Sequence, residues 1–97
     1  MRIIAKRTLK EFWERYPDAK SPLEAWYAEG KHADWKNSAD IKKQYGTASI
    51  LKNSRVVFNI HGNKYRLIVR VDYTYSIVFI RFIGTHKEYD QVDAGEI

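Results

Sequence analysis

Two hydrophobic periodicities divide the chain. Leu9, Phe12, Trp13 and Tyr16 recur at i, i+3, i+4 and i+7, the spacing of one helical face, and Pro17 is expected to end that helix. The tetrapeptide SPLE then restarts helix, with Ser21 as cap, Pro22 at the first helical position and Glu24 closing a capping box. Leu23, Trp26 and Tyr27 form its apolar side, and Gly30 is the expected stop. NSADIKKQYG predicts a third, short helix capped by Asn37 or Ser38 and ended by Gly46. Ile3 and Ile4 suggest a short opening strand. From Arg55 onward the period drops to two and the residues become β-branched and aromatic, the mark of paired strands.

Gly62-Asn63 is a two-residue hairpin signal of the II′ kind, and its consequences can be checked for self-consistency. Closing there sets Arg55 opposite Arg70, Asn59 opposite Arg66 and His61 opposite Lys64. The other face then pairs Val56 with Val69, Phe58 with Leu67 and Ile60 with Tyr65. One face is wholly apolar and the other largely polar, as a strand pair with one buried face requires. A third strand follows a turn near Tyr73–Ser76. Aligning Val78, Ile80 and Phe82 with the apolar face sets Arg81 opposite Ile68, diagonal to Arg66. The expected architecture is α+β in two layers, with N-terminal helices packed on one face of a C-terminal antiparallel sheet. Asn59, Lys64, Arg66, Arg70 and Arg81 are left open on the other face.

Length and composition fit this plan. With 97 residues the chain is one domain's worth, read as a single domain spanning 1–97. It has no cysteine, so neither disulfides nor thiolate metal sites are expected. No segment reads as a signal peptide or a membrane span, so a soluble cytoplasmic protein without membrane contact is the default expectation. The formal net charge is +5, and its distribution is informative. Between Ile41 and Val71 lie seven Lys or Arg and no acid, whereas Glu88, Asp90, Asp93 and Glu96 share the last ten residues. A basic middle with an acidic tail suits a polyanion-binding surface, nucleic acid above all, although a merely solvated basic face gives the same count.

Candidate chemistry gathers on the polar sheet face. Arginines on adjacent strands repel one another unless an anion lies between them, and Asp72, at a turn, is the only acid in the first two strands. A phosphate backbone supplies that charge, and guanidinium forks suit a phosphorane-like transition state. Arg66 and Arg81 are the candidates for that role, with Arg55, Arg70 and Lys52 as further phosphate contacts. The stretch FIGTHKEYD then crowds His86, Tyr89 and Asp90 where the third strand leaves the sheet. An imidazole can shuttle protons, a tyrosine can stack on a base or donate its phenol proton, and Asp90 can orient a histidine. Cleaving RNA through its own 2′-hydroxyl needs only acid–base groups and positive charge. An ordinary solvated strand end remains the plain alternative. The three histidines have no paired ligand spacing, so neither a metal nor another cofactor is expected.

The blocks VVFNIHGNKYRLIVRV and IVFIRFIGTHKEYDQVD resemble the HigB family of bacterial type II toxins, within the RelE-like superfamily. The resemblance implies an mRNA interferase that enters the ribosomal A site, against 16S rRNA, and cuts the message being translated. It also implies a cognate helix-turn-helix antitoxin of the HigA type. Residue by residue, the arginine of the YRL block corresponds to Arg66, the polar residue after the glycine ending the last strand to His86, and the C-terminal tyrosine to Tyr89. Asn59, Lys64 and Asp90 belong to the HigB-type pattern. The paired lysines that RelE carries ahead of its sheet are missing, Lys52 being a loose equivalent, so His86 is the chosen general base. Two other classes stay open: a non-catalytic RNA- or ribosome-binding module, and a regulatory protein whose arginine face meets an acidic chain.

Overall fold

A computed structural model describes residues 1–97. In chain order it contains β1 (Arg2–Ile4), α1 (Lys6–Arg15), a 3-10 turn (Pro17–Ala19) and α2 (Lys20–His32). Then come α3 (Ser38–Gln44), β2 (Ser49–Ile50), β3 (Arg55–Ile60), β4 (Tyr65–Asp72), β5 (Ile77–Thr85) and α4 (His86–Tyr89). The strands form one open sheet in the order β1-β5-β4-β3-β2, antiparallel except for the β1–β5 pair. This is the expected α+β fold, enlarged by the two-residue strand β2, which the pattern had not announced.

The helices lie on the sheet because their apolar stripes have nowhere else to go. Leu9, Phe12, Trp13, Leu23 and Trp26 bury against Val56, Phe58, Leu67, Val69 and Val71 in one core. Trp26 meets the Phe58 ring edge-on at 5.4 Å, and Phe12 meets Tyr65 at 5.2 Å. Offset and edge-on aromatic pairs of this kind add to simple burial. Asn37 caps α3 by accepting from the Asp40 N–H, as its position suggested.

Two helix boundaries differ from expectation. The 3-10 turn at Pro17 runs directly into α2, so Ala19 is the cap position and Ser21 makes no capping bond. Pro22 is third in the helix, where its missing N–H is still one of the unpaired first-turn donors and costs nothing. Nor does Gly30 stop α2, which continues to His32. Gly30 is there for closeness: a Cβ on it would lie 3.0 Å from Ile3 Cδ1, so the glycine lets β1 pack on the helix.

The hairpin register is the expected one from Arg55–Arg70 through Ile60–Tyr65. Lys64 N–H donates to the His61 carbonyl at 3.2 Å, and both His61 and Gly62 take positive φ to turn the chain. The β4–β5 register requires a correction. Val71 pairs Val78 and Val69 pairs Ile80, but Ile68 pairs Phe82 across a bulge that leaves Arg81 unpaired. Beyond the bulge Ile83, not Phe82, stands opposite Leu67, and Gly84 stands opposite Arg66. An extra residue in one strand shifts every later side chain to the other face.

The far sheet face is also less open than expected. Val57 and Ile68 are buried there, covered by Ala94 together with Leu51, Phe82, Tyr89, Val92 and Ile97. The chain's last residues therefore cross the sheet and form a second, smaller core.

Candidate active site

On the far face the cross-strand register stacks three rows. Arg55, Arg70 and Phe79 form one, Val57, Ile68 and Phe82 the next, and Asn59, Arg66 and Gly84 the last. The middle row lies under the tail, so the arginine face is split. At one end the acidic tail has engaged its cations. Arg55 donates from Nη2 to the Ile97 carbonyl at 2.8 Å and from Nη1 to the Asn53 carbonyl at 2.9 Å. Arg81 reaches the same Ile97 carbonyl from Nε at 3.1 Å. Lys52 pairs with Glu96 at 2.8 Å, which raises the lysine pKa and lowers that of the glutamate, in each case chiefly through the shared hydrogen bond. Arg70 lies 4.6 Å from the Phe79 ring centroid.

Lys64 leaves the far face altogether. Its ammonium bonds to Asp18 in the 3-10 turn, and the Tyr65 hydroxyl donates to the other oxygen of that carboxylate. His61 Nε2 stands 3.7 Å from the same group. The Lys64 and Tyr65 hydrogen bonds hold the Asp18 carboxyl below the ordinary range. This cluster ties the hairpin to the helical layer.

The remaining end holds a compact polar group. Thr85 opens α4 with a full capping box: its Oγ1 accepts from Glu88 N–H at 3.2 Å, while Glu88 Oε1 accepts from Thr85 N–H at 2.9 Å. That single turn aims His86 back at Arg66. Arg66 Nη2 lies 3.1 Å from His86 Nε2 and donates to Asn63 Oδ1 at 3.0 Å. A guanidinium has donors only, so the imidazole accepts through Nε2 and carries its proton on Nδ1. Nδ1 in turn faces Asp90 Oδ2 at 3.6 Å, one helical turn on. The Tyr89 ring centroid is 5.1 Å from the Arg66 guanidinium and 6.3 Å from the His86 ring.

Gly84 makes this arrangement possible. It is buried opposite Arg66 in the register, and a Cβ there would lie 2.5 Å from Phe82 Cζ and 3.0 Å from Glu88 Oε1. Of the residues singled out in the sequence, Arg66, His86, Tyr89 and Asp90 come together, with Asn59 beside Arg66 in the register. Lys52, Arg55 and Arg81 are drawn to the tail, Lys64 to Asp18 and Arg70 to Phe79. Asn63, read only as a turn residue, proves to be a partner of Arg66; its hairpin position, three residues before the arginine, was the available signal. No three His, Asp or Glu side chains converge as a metal site.

Residues 19–92 match the model of the HigB toxin family, described as the RelE-like toxic component of a toxin–antitoxin system. The chain belongs to the HigB family. It is 30% identical over 92 residues to the mRNA interferase toxin HigB of Escherichia coli strain K12, covering 93% of this chain and 88% of that protein. The mRNA interferase HigB of Escherichia coli O6:H1 is 26% identical over 94 residues, covering 95% and 91%. As a HigB toxin the chain is one half of a toxin–antitoxin pair, and no helix in it is long and apolar enough to cross a membrane.

Proposed function

We propose that this HigB toxin is an mRNA interferase, an endoribonuclease that cuts message on the translating ribosome with Arg66, His86, Tyr89 and Asp90 as its site. The observation that carries the proposal is the 3.1 Å approach of an exposed His86 Nε2 to Arg66 Nη2. In this mechanism the scissile phosphate takes the guanidinium, and His86 Nε2, its lone pair released, accepts the proton of the adjacent 2′-hydroxyl. Asp90 keeps the other imidazole proton on Nδ1, the tautomer a base at Nε2 requires. The 2′-oxygen attacks phosphorus, the bond to the 5′-oxygen breaks, and that oxygen leaves with the phenol proton of Tyr89. The products are a 2′,3′-cyclic phosphate and a 5′-hydroxyl. Arg66 stabilises the extra negative charge at the pentacoordinate stage, and no step calls on a metal.

The names of the relatives support the RNA substrate, and membership of a toxin–antitoxin family supports an antitoxin as partner, which we take to be of the helix-turn-helix HigA type. Arg66→Ala and His86→Ala should each abolish growth arrest on expression while leaving the far-ultraviolet spectrum unchanged. Primer extension on an induced culture should show translation-dependent cuts in message with the parent and none with either variant. If both variants stay fully toxic, the residue assignment is wrong. Salt-dependent RNA binding with no cleaved product on primed ribosomes would instead identify a non-catalytic RNA-binding module.

A further inference from the structure

At the opposite end of β5 from His86, the edge strand β1 borders a groove of about 600 Å³. Its lining includes Met1, Arg2, Ile3, Tyr27, Lys31 and Tyr75. Met1, Ile3 and Tyr27 are half-buried and continuous with the main core, so the groove has an apolar wall. Tyr75 is 74% exposed, by far the more open of the two large apolar side chains at the surface. The cations around it have no carboxylate partners. Arg2 and Lys31 take part in none of the chain's ion pairs, and Lys6 has only the Tyr27 ring, 4.9 Å away. No acid lines the groove.

We infer that this groove docks a protein segment that sets carboxylates beside an apolar or aromatic anchor. The combination of surfaces selects that occupant. RNA phosphates satisfy Arg2 and Lys31, and a base can stack on Tyr75, but nothing in a nucleic acid fills the aliphatic wall of Met1 and Ile3. An acidic amphipathic segment uses both, burying its anchor at the centre with charge complementarity at the rim. A second copy of this chain is a poor match, because its own acidic tail is committed: Glu96 is paired with Lys52, and the tail backbone holds Arg55 and Arg81. The docking site rests on the toxin–antitoxin reading, since the antitoxin is the natural source of such a segment. Nine strand residues at about 3.3 Å each separate the groove from His86, so the bound segment sits roughly 25–30 Å from the candidate active site and leaves it uncovered.

The test uses the full-length toxin and the purified antitoxin encoded with it. Arg2→Glu/Lys31→Glu and Tyr75→Ala are compared with the parent and with Lys43→Glu, a charge reversal on α3, after circular dichroism shows each folded. Calorimetry should give a Kd weakened by roughly tenfold or more for the groove variants and unchanged for Lys43→Glu. Co-expressed antitoxin should no longer rescue growth from the groove variants, whose toxicity alone stays at the parent's level. Parent-like affinity in both groove variants overturns the inference. So does a loss of toxicity with antitoxin affinity intact, which marks a ribosome- or RNA-binding surface, or a parent dimer in solution that the groove variants dissociate. A parent that is not toxic at all refutes the proposed activity and leaves the binding measurement to stand by itself.

Discussion

Replacing Gly84 by alanine perturbs the candidate site at its foundation. The new Cβ arrives 2.5 Å from Phe82 Cζ and 3.0 Å from both Phe82 Cε1 and Glu88 Oε1. Carbon–carbon contacts are comfortable at about 3.5–4.0 Å, so the Phe82 ring has to retreat by roughly 1 Å. It cannot do so freely, because it helps to cover Val57 and Ile68 in the second core. Overpacking of that kind costs about 1–3 kcal/mol. Glu88 is the acceptor for Thr85 N–H in the capping box, and displacing it forfeits a cap worth about 0.5–2 kcal/mol. Against these stands a gain of about 0.4–1 kcal/mol from the stiffer unfolded chain. The net loss should be roughly 0.5–4.5 kcal/mol, and at about 4–8 °C per kcal/mol the melting temperature should fall by about 2 °C at the least. Urea titration and calorimetry measure it. Gly46→Ala is the internal control, since no atom lies within 4 Å of its Cβ and the same unfolded-state gain applies. A Gly84→Ala variant as stable as Gly46→Ala refutes the requirement for glycine where Phe82 and Glu88 close over residue 84.

Asp18→Asn should flatten the acid limb of stability. The native Asp18 carboxyl is held below its usual value, so as pH falls the unfolded state protonates first; its contribution is complete above about pH 4 and is lost as pH drops through the native value. Melting temperatures measured from pH 6 to pH 2 should fall less steeply than the parent's, and an unchanged slope refutes the role given to the Lys64 and Tyr65 bonds. Arg66→Lys keeps the charge but loses the fork that bonds Asn63 and, in the proposed mechanism, the phosphate. Cleavage on primed ribosomes should drop by roughly 10²-fold or more with the fold intact, and parent-like cleavage rules out a need for guanidinium geometry. Arg55→Ala removes the bond that holds the Ile97 carbonyl, together with a local one to the Asn53 carbonyl, so amide exchange across residues 92–97 should quicken and stability fall by about 1–2 kcal/mol. Unchanged protection would show that the apolar contacts of Val92, Ala94 and Ile97 hold the tail without it.

Legibility differed sharply between the two capping signatures in the chain. Ser21 to Glu24 has the right letters, but the 3-10 turn at Pro17 had already begun the helix, so those letters fall inside it. Thr85 to Glu88 carries the same signature and forms the full box, yet in the sequence it follows an apolar strand and looks like that strand's polar end. A capping motif is local chemistry, and whether it is used depends on where the preceding element stops. The placement of His86 followed from that second box. Its meeting with Arg66 needed the β4–β5 register as well, which the all-apolar run around Arg81 could not specify by alternation.

The sequence by itself determined α1 to α3, the strands β3 to β5, the apolar face of the sheet and the β3–β4 register. Those depend on interactions a few residues apart: a 3.6-residue or two-residue period, and a glycine that lets a tight turn close. Tertiary structure alone decided the bulge at Arg81, the tail across Val57 and Ile68, and hence which arginines stay available. Each of these is a competition between partners distant in sequence. Arg55 and Arg81 are drawn to a carbonyl at Ile97, and Lys64 to a carboxylate at Asp18. Composition counts such cations as one basic surface; only the fold shows which of them already have a partner.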